Sequence, residues 1–132
     1  MPLNDIIYRG DDQEIEFKLA DENGDDINIT TDITGLLVIF YYRDNSVLAK
    51  YSMGIVTGYD SDNLVITNAT AGEFIIKLQA EVTRTAKLEN IFIEVKVRYS
   101  NANYSNSNFD SIIRDFMLGQ IKDSISGSNN TF

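Results

Sequence analysis

Neither histidine nor cysteine occurs among the 132 residues of this chain, which removes most of the side-chain chemistry available near neutral pH. Without imidazole there is no Ser-His-Asp arrangement, no Cys-His pair and no histidine-based zinc site. Without a thiol there are no disulfides, thiolate ligands or redox pairs, and nothing that marks the compartment. No Gly-x-Gly-x-x-Gly follows a strand pattern and no Gly-x-x-x-x-Gly-Lys-Ser/Thr is present, so nucleotide-binding loops are unsupported. Carboxylates remain, 20 in all. Two of them flanking a bond suffice for glycoside hydrolysis, but one must sit in a pocket that raises its pKa. The acids here alternate along strand faces or lie in turns, the ordinary solvated pattern, and the sequence therefore predicts a protein that is not an enzyme.

Two further constellations could bind rather than react. The acidic turn Asp21-Glu22-Asn23-Gly24-Asp25-Asp26 offers hard oxygen donors for Ca²⁺ at Asp21, Asn23 and Asp25. It departs from the EF-hand pattern, because Gly24 comes fourth rather than sixth from Asp21 and the twelfth position holds Asp32 instead of a bidentate Glu. A solvated hairpin turn is the stronger reading, and no cofactor is expected. Of the seven tyrosines, Tyr59 and Tyr104 fall in predicted loops and could present their rings to a sugar. Most of the others follow strand alternation and belong to the core or the sheet surface.

The charge balance narrows the partners. Lys and Arg number 11 against 20 Asp and Glu, for a net −9, and the imbalance is confined to one half: residues 1–66 carry 13 acids and 4 bases, residues 67–132 carry 7 of each. Such a field repels phosphate, so nucleic acid and anionic membrane are not expected partners, whereas cations or a basic protein surface fit. The longest apolar run, Leu36 to Tyr42, is far short of a membrane span.

The elements that must position these groups are mostly strands. Ile15, Phe17 and Leu19 alternate with Glu14, Glu16 and Lys18, and the same period returns at Val47 to Met53, Leu64 to Ile66, Phe74 to Leu78 and Ile91 to Tyr99. Turn clusters separate them, including Asn23-Gly24 and Arg43-Asp44-Asn45-Ser46. Residues 80–90 are ambiguous between an irregular crossover and a short helix. Leu36-Leu37-Val38-Ile39-Phe40-Tyr41-Tyr42 is apolar on both faces, which predicts a central strand covered on each side, either by the fold itself or by another subunit.

After the polar stretch Ser100 to Asn108, apolar residues recur at Phe109, Ile112, Ile113, Phe116 and Met117, the spacing of a helical stripe, with Leu118, Ile121 and Ile125 off that stripe. The expectation is therefore a mainly β fold, an antiparallel sandwich with one C-terminal α-helix. Residues 1–100 would form the sandwich, and residues 101–132 a polar link, an amphipathic helix and a loose tail. A helix apolar on more than one side would touch two things. The surfaces expected to meet a partner are Leu37, Ile39 and Tyr41 on the strand and Phe109, Ile113, Phe116, Met117, Leu118 and Ile121 on the helix.

Read in order, Tyr8-Arg9-Gly10-Asp11-Asp12, Asp21-Glu22-Asn23-Gly24, Ile33-Thr34-Gly35 ahead of the apolar strand, and Ala71-Gly72-Glu73-Phe74-Ile75-Ile76-Lys77-Leu78 with Thr83 after it form an arrangement that resembles the immunoglobulin-like β-sandwich domains of bacteriophage tail and baseplate proteins. The resemblance covers residues 5–100. It implies an immunoglobulin-like sandwich and a non-enzymatic structural role in the virion, assembled in the bacterial host cytoplasm. The chain would be an adaptor or attachment domain in the tail, the baseplate or on the particle surface, packed against other virion proteins or in a homo-oligomer. Such domains usually lead into a fibre stalk; a two-sided helix in that place suits an adaptor or decoration protein. The alternative is a carbohydrate-binding β-sandwich module, with or without Ca²⁺, using the acidic half and the loop tyrosines.

Overall fold

Residues 5–104 and 106–123 are described in the computed structural model of the chain. Each alternating run forms a strand, giving in chain order β1 (Asp5–Tyr8), β2 (Gln13–Lys18), β3 (Gly35–Tyr42), β4 (Val47–Ser52), β5 (Leu64–Asn68), β6 (Glu73–Leu78), a single-turn helix α1 (Ala80–Thr83), β7 (Asn90–Ser100) and β8 (Asn108–Lys122). The fold is mainly β, in two sheets: a five-stranded sheet ordered β1-β8-β7-β3-β4 and a three-stranded sheet ordered β2-β6-β5. All pairings are antiparallel except that of β1 with β8.

The core lies between the sheets. Leu36, Val38, Phe40 and Tyr42 of β3 and Ile91, Ile93, Val95 and Val97 of β7 face Ile15 and Phe17 of β2 and Phe74, Ile76 and Leu78 of β6, all buried. Phe17 stacks on Phe74 with ring centres 4.8 Å apart, and Phe40 meets Tyr51 edge-on. Each such side chain removed from water contributes about 1.5–3 kcal/mol of transfer free energy. The segment joining β2 to β3 buries three isoleucines, Ile27, Ile29 and Ile33, which close one end of the core without forming a strand. That closure needs Gly72, whose φ is +72°: a Cβ there would fall 2.7 Å from the carbonyl oxygens of Leu19 and Ile27.

The two sheets are clipped together where β1 crosses to β2. Thr83, fully buried at the end of α1, accepts a hydrogen bond from the Gly10 amide (3.0 Å) and donates one to the Asp11 carbonyl (2.8 Å). The Asp12 carboxylate accepts from the Ala80 amide at 2.6 Å. Arg9 then reaches Asp123 through two hydrogen bonds of 2.7 and 3.1 Å, joining the exit of β1 to the end of β8.

The expected C-terminal helix is instead the fifteen-residue strand β8. It pairs with β7 from Ser100↔Asn108 to Asn90↔Gln120 and with β1 from Asp5↔Gly119 to Tyr8↔Lys122. Its apolar spacing imitates a helix because the ladder slips twice. Ile113 and Leu118 have no partner on β7, so the alternation changes phase at each of them. Apolar residues on two faces, shifted twice by one position, fall at i, i+3, i+4, i+7 and i+8. Three Ile and two Phe favour a strand, Gly119 disfavours a helix interior, and β7 needs a partner on that edge. Residues 101–104 and 106–107 lie in the connection between β7 and β8, with Ser107 at φ +61° and its carbonyl accepting the Asn101 amide. The strand segment 108–122 therefore shares a sheet with β1, β7, β3 and β4 rather than following them as a separate helix; Ile125 and the expected loose tail, residues 126–132, lie outside the described residues.

A chain ending at residue 107 would leave one edge of β7 and the only ladder of β1 unpaired, and would uncover the pocket filled by Leu118 and Ile121. We expect such a chain to show no cooperative thermal transition. An unchanged melting temperature in the truncated chain, followed by circular dichroism, would refute the placement of β8.

Candidate functional site

Strands show two faces, and the five-stranded sheet has one face on the core and one on solvent. In β3 the even residues Leu36 to Tyr42 are buried while Leu37, Ile39 and Tyr41 are half-buried on the outer face. The apolar-both-sides reading of this strand thus corresponds to a core beneath it and an outer surface above it. Cross-strand partners share a face, so the registers of β4, β3, β7 and β8 lay out that surface as rows.

The first row, Val47-Tyr41-Phe92-Met117, is apolar across all four strands. Tyr41 and Phe92 stack with centres 5.6 Å apart, and the Arg43 guanidinium lies 5.9 Å from the Phe92 ring centre. The second row is Lys50-Ile39-Glu94-Asp115, the third Ser52-Leu37-Lys96-Ile112, and the fourth is Gly35-Arg98-Asp110 on β3, β7 and β8. Paired positions on this face hold three bases (Lys50, Lys96, Arg98) and three acids (Glu94, Asp110, Asp115), so within a chain of net −9 these rows are locally neutral.

Two contacts fix the acids. Arg98 holds Asp110 with bonds of 2.6 and 2.9 Å and keeps its carboxyl below the usual carboxylate range. Tyr41 donates its hydroxyl proton to the Asp115 carboxylate. Burial, then this bond and the charges of Asp115 and Glu94, push the Tyr41 phenol up to about 12. Lys50, Lys96 and Glu94 form no ion pair among the described residues, and the Lys50 ammonium lies 4.8 Å from the ring centre of Tyr59.

One border of the face is raised. The segment after β4, Met53-Gly54-Ile55-Val56, stands over the ends of β3 and β7 and encloses with Leu37, Lys96 and Arg98 a groove of about 410 Å³. Ile55 is 97% exposed at its crest, and Ile112 on β8 is 53% exposed.

Of the residues expected to meet a partner, Leu37, Ile39, Tyr41 and Met117 come together on this face. The others do not. Leu118 and Ile121 are core residues at 0 and 1% exposure, Phe116 lies opposite Ile93 on the inner side, Ile113 is an unpaired bulge residue packed against the core, and Phe109 lies opposite Tyr99 near the hairpin end. Without a helix those five do not share the outer face with Met117. Phe92, Val47, Ile112 and Ile55 were not anticipated. Phe92 stands in the polar phase of β7, and Val47 is thrown to the outer face by a bulge at Leu48, which breaks its alternation with Ala49 and Tyr51.

Near the hairpin end of β7 and β8, Tyr104 and Phe109 have ring centres 5.3 Å apart and Phe109 and Tyr99 6.2 Å. Burial, then the charges of Asp21, Asp32 and Glu22, push the Tyr99 phenol up. The acidic turn is organised by its own backbone: one Asp21 carboxylate oxygen accepts the amides of Asn23 and Asp25, both at 2.9 Å, and Gly24 adopts φ +82°. Among the described residues, no three His, Cys, Asp or Glu side chains converge as a cation site. Nor is any described helix long and apolar enough to cross a membrane.

Comparison with family models, curated proteins and solved structures finds no match to this chain.

The Tyr41 phenol has a pH signature, set first by its burial and then by its bond to Asp115. The folded protein holds the Tyr41 proton more tightly than an ordinary phenol near 10, so the stabilisation is complete below pH 10 and is lost as pH rises toward 12. We expect the melting temperature to fall over that window, and to fall less in Tyr41→Phe. Equal slopes for the two proteins between pH 9 and 12 would show that the folded chain does not hold the Tyr41 proton more tightly than the unfolded one.

Proposed function

We propose that this chain is a non-enzymatic structural component of a bacteriophage particle, an adaptor or attachment domain of the tail, baseplate or particle surface that joins other virion proteins through the outer face of its five-stranded sheet. The observation that carries the joining role is that face: an apolar row across four strands, beside three rows whose charges sum to zero. Protein-docking surfaces deplete net charge at their centre and enrich aromatic and Met side chains, and Tyr41, Phe92 and Met117 fit that composition.

We read the two sheets as an immunoglobulin-like sandwich. Supporting this, β7, β3 and β4 with β8 follow the G-F-C-C′ order of a variable-type sheet, β2, β6 and β5 follow B-E-D, and β1 lies parallel along the last strand. The phage assignment rests on the resemblance of the turn and strand motifs over residues 5–100. Mass spectrometry of particles purified from the bacterium that carries the gene tests it. We expect the chain in fixed ratio to other particle proteins; its absence from intact particles would overturn the assignment.

A carbohydrate-binding module is the second reading, favoured by one observation, the exposed Tyr104 and Phe109 rings beside each other near the hairpin end. Sugar rings stack on such surfaces. A glycan array should then detect binding that Tyr104→Ala reduces at least tenfold, and an array with no bound glycan removes this reading.

A further inference from the structure

We infer that the far end of β7 and β8, where the rings of Tyr99, Phe109 and Tyr104 lie beside the acidic residues of the β2–β3 segment, binds a basic segment of a partner protein through its arginine and lysine side chains. This surface is separate from the outer face of the five-stranded sheet, so the inference goes beyond the joining role proposed above and does not rest on it. Tyr99 and Phe109 are cross-strand partners in phase with Ile93, Val95 and Val97, on the inner side of the sheet. Phe109 touches both other rings, and Phe109 and Tyr104 are exposed. The acidic segment is fastened to the same end of β7, because the Thr34 amide and hydroxyl both donate to the Arg98 carbonyl, at 2.7 and 3.3 Å. Burial, then the charges of Asp21, Asp32 and Glu22, act on the Tyr99 phenol, all in the same direction. None of these three acids forms an ion pair among the described residues.

Elsewhere the chain supplies cations to its own rings: Arg43 to Phe92, Lys50 to Tyr59, Lys87 to Tyr42 and Arg114 to Phe116. Among the described residues no cation is placed over Tyr99, Tyr104 or Phe109, and residues 99–109 contain no Lys or Arg, while residues 19–34 hold five acids and no bases. A ring face attracts a cation, and nearby carboxylates add to the attraction. A bare divalent ion does not fit, since it needs converging oxygens and no three acidic side chains converge among the described residues. Carboxylates spread around three rings suit cations carried on separate long stems. Arginine suits them best, because its guanidinium both stacks on aromatic faces and bonds carboxylates through a planar fork. A neutral sugar would use the rings and leave the acids idle.

The test titrates the full chain into a fluorescein-labelled octapeptide of alternating arginine and serine at physiological salt, read by fluorescence anisotropy, with lysine–serine and glutamate–serine octapeptides alongside. We expect the arginine peptide to bind, the lysine peptide to bind roughly threefold more weakly, and the glutamate peptide not to bind. Tyr104→Ala should weaken arginine-peptide binding roughly fivefold, and Glu22→Gln roughly threefold. Glu14→Gln, which removes the same charge from β2, should leave it unchanged, and circular dichroism melting checks that each variant folds. An arginine peptide that does not bind, or whose binding Tyr104→Ala leaves intact, would overturn the inference. So would an equal loss in Glu14→Gln and Glu22→Gln, which would mean attraction to the whole −9 rather than to this surface. Glycan binding that depends on Tyr104, in a chain indifferent to the arginine peptide, would overturn it and give the rings to the carbohydrate reading. None of these variants touches the outer face, so the joining role stands or falls separately.

Discussion

The fold depends on the pairing of β7. Its inward residues Ile91, Ile93, Val95 and Val97 are at most 1% exposed, so the strand lies in the middle of the molecule, and both of its edges need hydrogen-bond partners. β3 supplies one edge from Gly35↔Arg98 to Tyr42↔Ile91. The other edge can be satisfied only by a strand as long as β7 itself, and residues 108–122 are the segment that the intervening hairpin loop delivers there. Once they are extended, β8 offers its far edge to β1, and Arg9 closes that end onto Asp123. The C-terminal segment is thereby as much a part of the core as the first strand.

The bulges in β8 are what that demand costs locally. A strict two-residue period through residues 108–122 would send Phe116 and Met117 to faces opposite those that their neighbours on β7 require. Leaving Ile113 and Leu118 unpaired resets the phase twice, so that Phe116 meets Ile93 inside and Met117 meets Phe92 outside, while Leu118 still reaches the core. Bulges also increase local twist and bend the bulged strand.

How much of this the sequence discloses follows from the same physics. The alternation of β2, β6 and β7, the Asn23-Gly24 and Asp44-Asn45 turns, and the two-sided character of β3 are legible because period, turn chemistry and burial agree there. β8 is not legible, because two one-residue slips convert a period of 2 into a helical one and only the unpaired edge of β7, a feature some ten residues away in sequence, decides between them. Ile27, Ile29 and Ile33 are invisible as core for a different reason: they lie outside any named strand, Ile27 against Gly72 and Ile29 bonded through its amide to the Ala69 carbonyl. On the outer face, Leu37, Ile39 and Tyr41 could be found from composition alone. Phe92 could not, since it occupies the phase that Glu94, Lys96 and Arg98 mark as solvated.

The acidity of the chain acquires a location. Five acids and no bases lie between residues 19 and 34, in the exposed turn and the loop that follows it, and on the three-stranded sheet the outward acids face bases in part, as in Glu14↔Lys77 and Lys18↔Glu73. The outer rows of the five-stranded sheet contribute no net charge. At physiological ionic strength fields from exposed charges decay over about 8 Å, so a protein approaching those rows is governed by the nearest side chains and not by the −9 of the whole. A uniformly acidic surface would repel a second acidic protein from every direction. Placing most of the excess at the turn end leaves the outer rows as a direction of approach in which apolar contact carries more weight, and that direction is the face where Tyr41, Phe92 and Met117 lie in line.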